Sequence, residues 1–198
     1  MDFTGSTDLI GGDYLHLIAQ RHEWHISVLI RDTEKARAVR QHYPFVEVVI
    51  GTLEDTGLLE QQGELADVVL NFADCDHLDA AEAIIRGSSR RKKPGFIIHT
   101  SGAKIIAWDI KARPATWGEY IPRRYDDWAG VHKLTSVTSD GHDIDCLPDW
   151  AAHRDVDQAI LRGYRNHPNT VYTAILPRML NVFLRRGRAF TIKGNENK

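Results

Sequence analysis

Near its start the chain reads Thr4-Gly5-Ser6-Thr7-Asp8-Leu9-Ile10-Gly11-Gly12. Glycines at this spacing, just ahead of a helical pattern, suit a turn that receives a pyrophosphate. The chain must turn tightly, its backbone must approach the phosphates, and the helix must pack close to its strand. The free N–H groups at the helix start then face the anion. Gly5 and Gly11 hold the first and last glycine positions, with Ser6, Thr7 and Ile10 between them. Asp8 stands where the middle glycine belongs. Its side chain intrudes on the phosphate approach, and its charge opposes the phosphate's. Two like charges ~4 Å apart repel by several kcal/mol at an effective dielectric near 20. The spacing therefore predicts a dinucleotide seat of weakened affinity.

Other clusters carry less chemistry. His22 and His25 straddle a helix end and a strand start, so they do not converge. His142-Asp143-Ile144-Asp145-Cys146 mixes hard and soft ligands but lacks the spaced second pair of a structural zinc site. No metal is expected. The run Arg90-Arg91-Lys92-Lys93 reads as a solvated helix terminus that favours cations. It has no aromatic ladder for single-stranded nucleic acid, and no nucleic-acid partner is expected. Cys75 and Cys146 read as free thiols of a reducing compartment.

The elements that must position the turn alternate. Apolar spacing at Ile10, Tyr14, Leu17 and Ile18 predicts a helix over 9–22. Strands are expected at 25–30, 45–50, 67–72, 95–100 and 171–176, with helices at about 33–42, 55–63, 77–88 and 153–165. Asp32 or Thr33 caps the second helix. In the 77–88 helix Leu78, Ala81 and Ile85 point inward. Short apolar strands alternating with helices predict a parallel, doubly wound α/β sheet with helices on both faces. Only Met1 to Thr4 remain for the first strand, so either it is a stub or the chain starts further upstream. Residues 101–151 break the regularity and hold Trp108, Trp117, Trp128 and Trp150. They read as an irregular insertion, burying its aromatics on the sheet edge or serving as a substrate flap.

The 198 residues suit one domain, and the net charge of −2 gives no field that would draw nucleic acid or an acidic membrane. No apolar run reaches the ~20 residues of a bilayer span. The start lacks a signal-peptide pattern, and a cytoplasmic location is the expectation.

The chain resembles the extended and atypical short-chain dehydrogenase/reductases, in particular fungal NAD(P)-binding Rossmann proteins of epimerase/dehydratase type. The resemblance runs from residue 3 to about 177. It rests on the Thr4–Gly11 turn and on Thr100-Ser101-Gly102. It implies a Rossmann domain over 1–183 and NAD or NADP as cofactor. It assigns Arg31 and Asp32 to the adenosine ribose, with a lean to NADP because arginine suits a 2′-phosphate. Leu53 falls near adenine, and Ala73 is the small residue after the fourth strand. Ser101 takes the catalytic serine's place. The Tyr-x-x-x-Lys pair of the family becomes His153 and Asp157. Asp157 cannot act as a lysine cation does, but a His–Asp pair still moves protons near neutral pH. The plainer reading is a surface i,i+4 pair.

After Leu176-Pro177-Arg178 the segment from Arg186 to Ile192 resembles one that the family places later. This implies an internal deletion and truncation, with residues 184–198 a remnant of a largely missing substrate lobe. Three readings follow: an NAD(P)-dependent oxidoreductase or epimerase acting on a small carbonyl or alcohol, an inactive dinucleotide-binding or regulatory module, or a fragment that does not fold alone. The oligomeric state is left open.

Overall fold

The computed structural model describes residues 1–102, 142–145, 149–169 and 171–177. Six parallel strands form one sheet: β1 Asp2–Thr4, β2 Ile26–Ile30, β3 Val46–Ile50, β4 Val68–Asn71, β5 Gly95–Ser101 and β6 Val171–Pro177. Their order is β3-β2-β1-β4-β5-β6, the doubly wound order that the alternation predicts. The chain leaves β1 for β2 on one side and crosses back to β4 on the other. The ends of β1 and β4 thus flank the topological switch point, where open α/β sheets bind their ligands.

Among the described residues six helices connect or flank the strands: α1 Leu9–Ile18, α2 Thr33–His42, α3 Thr56–Leu65, α4 Leu78–Ser89, α5 His142–Asp145 and α6 Arg154–Asn166. Alternating side chains divide β4 between two cores. Leu70 and Phe72 pack with Ile10, Leu15, Val28 and Ala36 on the α1–α2 side. Val69 packs with Leu59, Ile84, Ile97, Val156 and Ile160 on the α3–α4–α6 side. Ile84, Ile97 and Ile160 are each buried to within 1 %. Truncating any of them to alanine removes about 2–5 kcal/mol.

Several expectations shift. The first helix stops at Ile18 rather than reaching 22, and β1 is a three-residue stub between two partners. On α4 the buried line is Ala80, Ala81, Ala83, Ile84 and Gly87, while Leu78 and Ile85 are partly buried against the same core. The cap of α2 is Asp32. Within the region read as irregular, α5 adds one turn of helix, and Ile144 from it is buried in the α3–α4–α6 core. Trp150 is exposed. Trp108, Trp117, Trp128, Cys146 and the tail from 178, with the boundary at 183/184, lie outside the described residues.

The basic run is not simply solvated. Arg90 pairs with Glu60, and the Arg91 side chain is mostly buried, bonded to Asp67 and to the carbonyl of Glu64. Buried apolar stems with paired heads are a common use of arginine.

Candidate functional site

The turn after β1 is built as its glycines require. Gly5 adopts φ 74°, and a Cβ there would lie 2.6 Å from the backbone of Phe72 and Ala73. No other residue type fits this conformation and this gap. A Cβ on Gly11 would lie 1.9 Å from the Gly5 carbonyl oxygen, so α1 rests directly on the turn. Ser6 is buried, and its Oγ has no hydrogen-bond partner among the described residues. Thr7 is exposed and Ile10 is in the core. Asp8 is the N-cap of α1, in extended conformation with φ −86°. Its side chain is exposed and makes no capping bond. The backbone at 8 therefore does not need glycine, and the carboxylate sits at the positive end of the helix.

The neighbouring strand ends carry the other expected binding residues. Arg31 is exposed after β2. Asp32 Oδ1 accepts from the Glu34 and Lys35 amides at 2.8 and 3.0 Å. Those two bonds, Lys35's first, hold its carboxyl below the usual range. Leu53 follows β3 and packs on the core, and Ala73 follows β4 beside Gly5.

A buried polar chain crosses the same edge of the sheet. Thr4, Asn71 and His99 are register partners across β1, β4 and β5. Thr4 Oγ1 donates to Asn71 Oδ1 at 2.8 Å, and Asn71 Nδ2 lies 3.0 Å from His99 Nδ1. An amide nitrogen can only donate, so His99 Nδ1 accepts and the ring proton sits on Nε2. Nε2 lies 3.4 Å from Asp157 Oδ1, but without hydrogen-bond alignment. Two residues further along β5, on the same face, Ser101 Oγ donates to Asp157 Oδ2 at 2.7 Å. His99, Ser101 and Asp157 are all nearly or fully buried.

The structure pairs Asp157 with Ser101 rather than with His153, the residue the sequence spacing suggested as its surface partner. Asp157 is 1 % exposed and turned inward by the apolar face of α6, which buries Val156, Ala159 and Ile160 beside it. His153 is the N-cap of α6, in the left-handed region at φ 69°. Its ring lies over Gly102, where a Cβ would meet Nε2 at 2.1 Å. Its Nδ1 lies 2.5 Å from Asp76 Oδ1 and 3.4 Å from Cys75 Sγ. Burial first, then the charges of Asp76 and Asp74, push the Cys75 thiol up to about 11. His22 rests on Phe45 and His25 on Glu47, so those two histidines do not converge.

Sequence reasoning did not find Thr4, Asn71, His99, Cys75 or Asp76. The i,i+2 spacing of His99 and Ser101 on one strand was a usable signal. The approach of Cys75 and Asp76 to His153 had none, since 77 or more residues separate them.

Strand order, the β1–α1 turn and the switch point together define a Rossmann-type α/β fold. No family model matches the chain. It is 33 % identical over 178 residues to oxidase ucsJ from Acremonium sp., covering 87 % of this chain and 47 % of that protein. The chain thus spans about half the length of that curated relative. Among solved structures it is similar to a wide-type short-chain dehydrogenase/reductase from Veillonella parvula DSM 2008 in complex with NADP. The identity is 18 %, the TM-score 0.50, and the match covers 89 % of this chain and 67 % of that one. Isoflavone reductase is similar at 11 % identity and TM-score 0.43, over 97 % of this chain and 82 % of that one. The likeness to the Veillonella reductase bears out the doubly wound Rossmann fold. Among the described residues no helix is long and apolar enough to cross a membrane.

Proposed function

We propose that this chain binds a nicotinamide dinucleotide at the β1–α1 turn and belongs to an oxidoreductase acting on a small carbonyl or alcohol. The observation that carries the reading is Gly5, held at φ 74° against the backbone of Phe72 and Ala73 at the switch point of the sheet. The NADP complex of the similar Veillonella reductase and the oxidase relative support it.

The residues present fit such a group. Gly5 and Gly11 clear a cradle, and the unpartnered Ser6 Oγ and the start of α1 offer donors to phosphate. Arg31 reads the ribose end and favours NADP, because Oδ1 of Asp32 is already committed to capping α2. A bound nicotinamide supplies a hydride donor or acceptor. Asp157 holds the Ser101 hydroxyl in one orientation, with His99 Nε2 3.4 Å from its other carboxylate oxygen. With its proton given to Asp157, Ser101 Oγ serves as an acceptor for a substrate hydroxyl. Asp8 weakens the dinucleotide seat by repulsion.

Titration of NADPH and NADH against the purified chain, followed by nicotinamide fluorescence, tests the binding. Saturation by NADPH below millimolar, lost in Gly5→Val, is the expected result. No saturable binding in that range removes the reading.

A second reading is a dinucleotide-binding module without turnover. It is favoured by Ser101, whose hydroxyl is buried and spent on Asp157, and by His153, which engages Asp76 and Cys75. Aldehyde turnover with NADPH that disappears in Ser101→Ala sinks it.

A further inference from the structure

We infer that Cys75, Asp76 and His153 form a binding site for a zinc-type divalent cation. Their ligand atoms all lie within 4.8 Å of one another. Cys75 and Asp76 come from the loop between β4 and α4, and His153 from the start of α6.

The arrangement rules out a Cys–His–Asp nucleophile relay. A relay strings its members along opposite nitrogens of the imidazole, so that the acid orients the ring toward the thiol. Here the thiol and the carboxylate both address the same atom, Nδ1 of His153. Three ligand atoms gathered round one point are what a metal ion needs.

The distances suit a small tetrahedral ion. With bonds of about 2.3 Å to sulfur and about 2.0 Å to nitrogen, neighbouring ligand atoms stand roughly 3.5 Å apart. Sγ and Nδ1 are separated by 3.4 Å. Oδ1 of Asp76 lies at hydrogen-bond distance from Nδ1 and must retreat by under about an ångström. It is free to do so, because the Asp76 side chain is 61 % exposed while that of His153 is 9 % exposed. One thiolate, one imidazole and one carboxylate are ligands of intermediate softness, which favours zinc over magnesium or calcium. Three protein ligands leave a fourth position for water or for the oxygen of a small molecule.

His153 is held there at a backbone cost. It is the only non-glycine residue with positive φ among those described, and its ring occupies space that any side chain at 102 would fill. Left-handed backbone at a non-glycine residue costs of order 1–3 kcal/mol and collects at functional positions.

The test uses the untagged chain, stripped with chelator and titrated with Co²⁺ and then Zn²⁺. One equivalent of cobalt is expected, with intense tetrahedral visible bands and a thiolate-to-cobalt charge-transfer band, displaced by zinc. Cys75→Ala should abolish the charge-transfer band, and Asp76→Ala should weaken binding more than about tenfold. Asp76 is exposed, so that variant keeps the fold, and circular dichroism checks both. No binding, or cobalt binding that neither substitution changes, overturns the site. NADPH titration of the same samples reads the dinucleotide seat separately, so failure of one site is distinguishable from failure of the other.

Discussion

Ser101 Oγ donates to Asp157 Oδ2 at 2.7 Å, joining the end of β5 to the first turn of α6 within a buried site. The bond ties two side chains that are 0 and 1 % exposed into one buried unit. A hydrogen bond to a buried carboxylate contributes more than one between neutral groups. Ser101→Ala should therefore destabilise the chain by about 2 kcal/mol in urea unfolding, within the ~1.5–3 range for bonds to charged groups. A loss below about 0.5 kcal/mol would show that the pair is not desolvated.

Acid should weaken the chain in part through two carboxylates, the exposed Asp32 and the partly buried Glu60. Asp32 is held below its ordinary 3.8 by the Lys35 and Glu34 amides, and Glu60 below 4.5, chiefly by Arg86. Both are lowered on folding, so their contribution is full above the unfolded value. It is lost as pH falls through the folded one. A pH series of thermal unfolding from 6 down to about 3 should show a shallower decline for Asp32→Ala combined with Glu60→Gln. An unchanged slope would contradict the bonding described.

Gly5→Ala forces a side chain into positive φ and against the Phe72–Ala73 backbone. Strain of roughly 1–3 kcal/mol is expected, with loss of NADPH binding. Gly12→Ala is the control: its Cβ meets nothing closer than 3.6 Å. Similar effects from both substitutions would show that the turn is not specifically shaped.

Asp8 supplies a sharper check on the dinucleotide seat. Asp8→Gly should tighten NADPH binding at least tenfold, and Asp8→Asn should give part of that gain by removing the charge alone. Equal affinity across the three proteins in a fluorescence titration would place the phosphates elsewhere.

Much of the architecture was legible because it is periodic. Apolar residues at helical spacing and β-branched runs place α1 to α4, α6 and β2 to β6 within a few residues, and alternation alone implies the doubly wound sheet. The glycine turn was legible because a tight turn and a close approach demand one residue type. Ser101 and Asp157 were each singled out by resemblance, but their pairing and their burial were not. The sequence spacing of His153 and Asp157 matches a surface pair equally well. Only the packing of α6 on β5 turns Asp157 inward while His153 swings over Gly102.

By itself the sequence determined most of the elements, their order and the glycine turn between β1 and α1, since these follow from local spacing and backbone sterics. Tertiary structure alone decided the row Thr4–Asn71–His99, the bond from Ser101 to Asp157, and the convergence of Cys75, Asp76 and His153. Those relationships join residues 28 to 78 positions apart. Strand register and helix docking set them, and no local pattern in the chain encodes either.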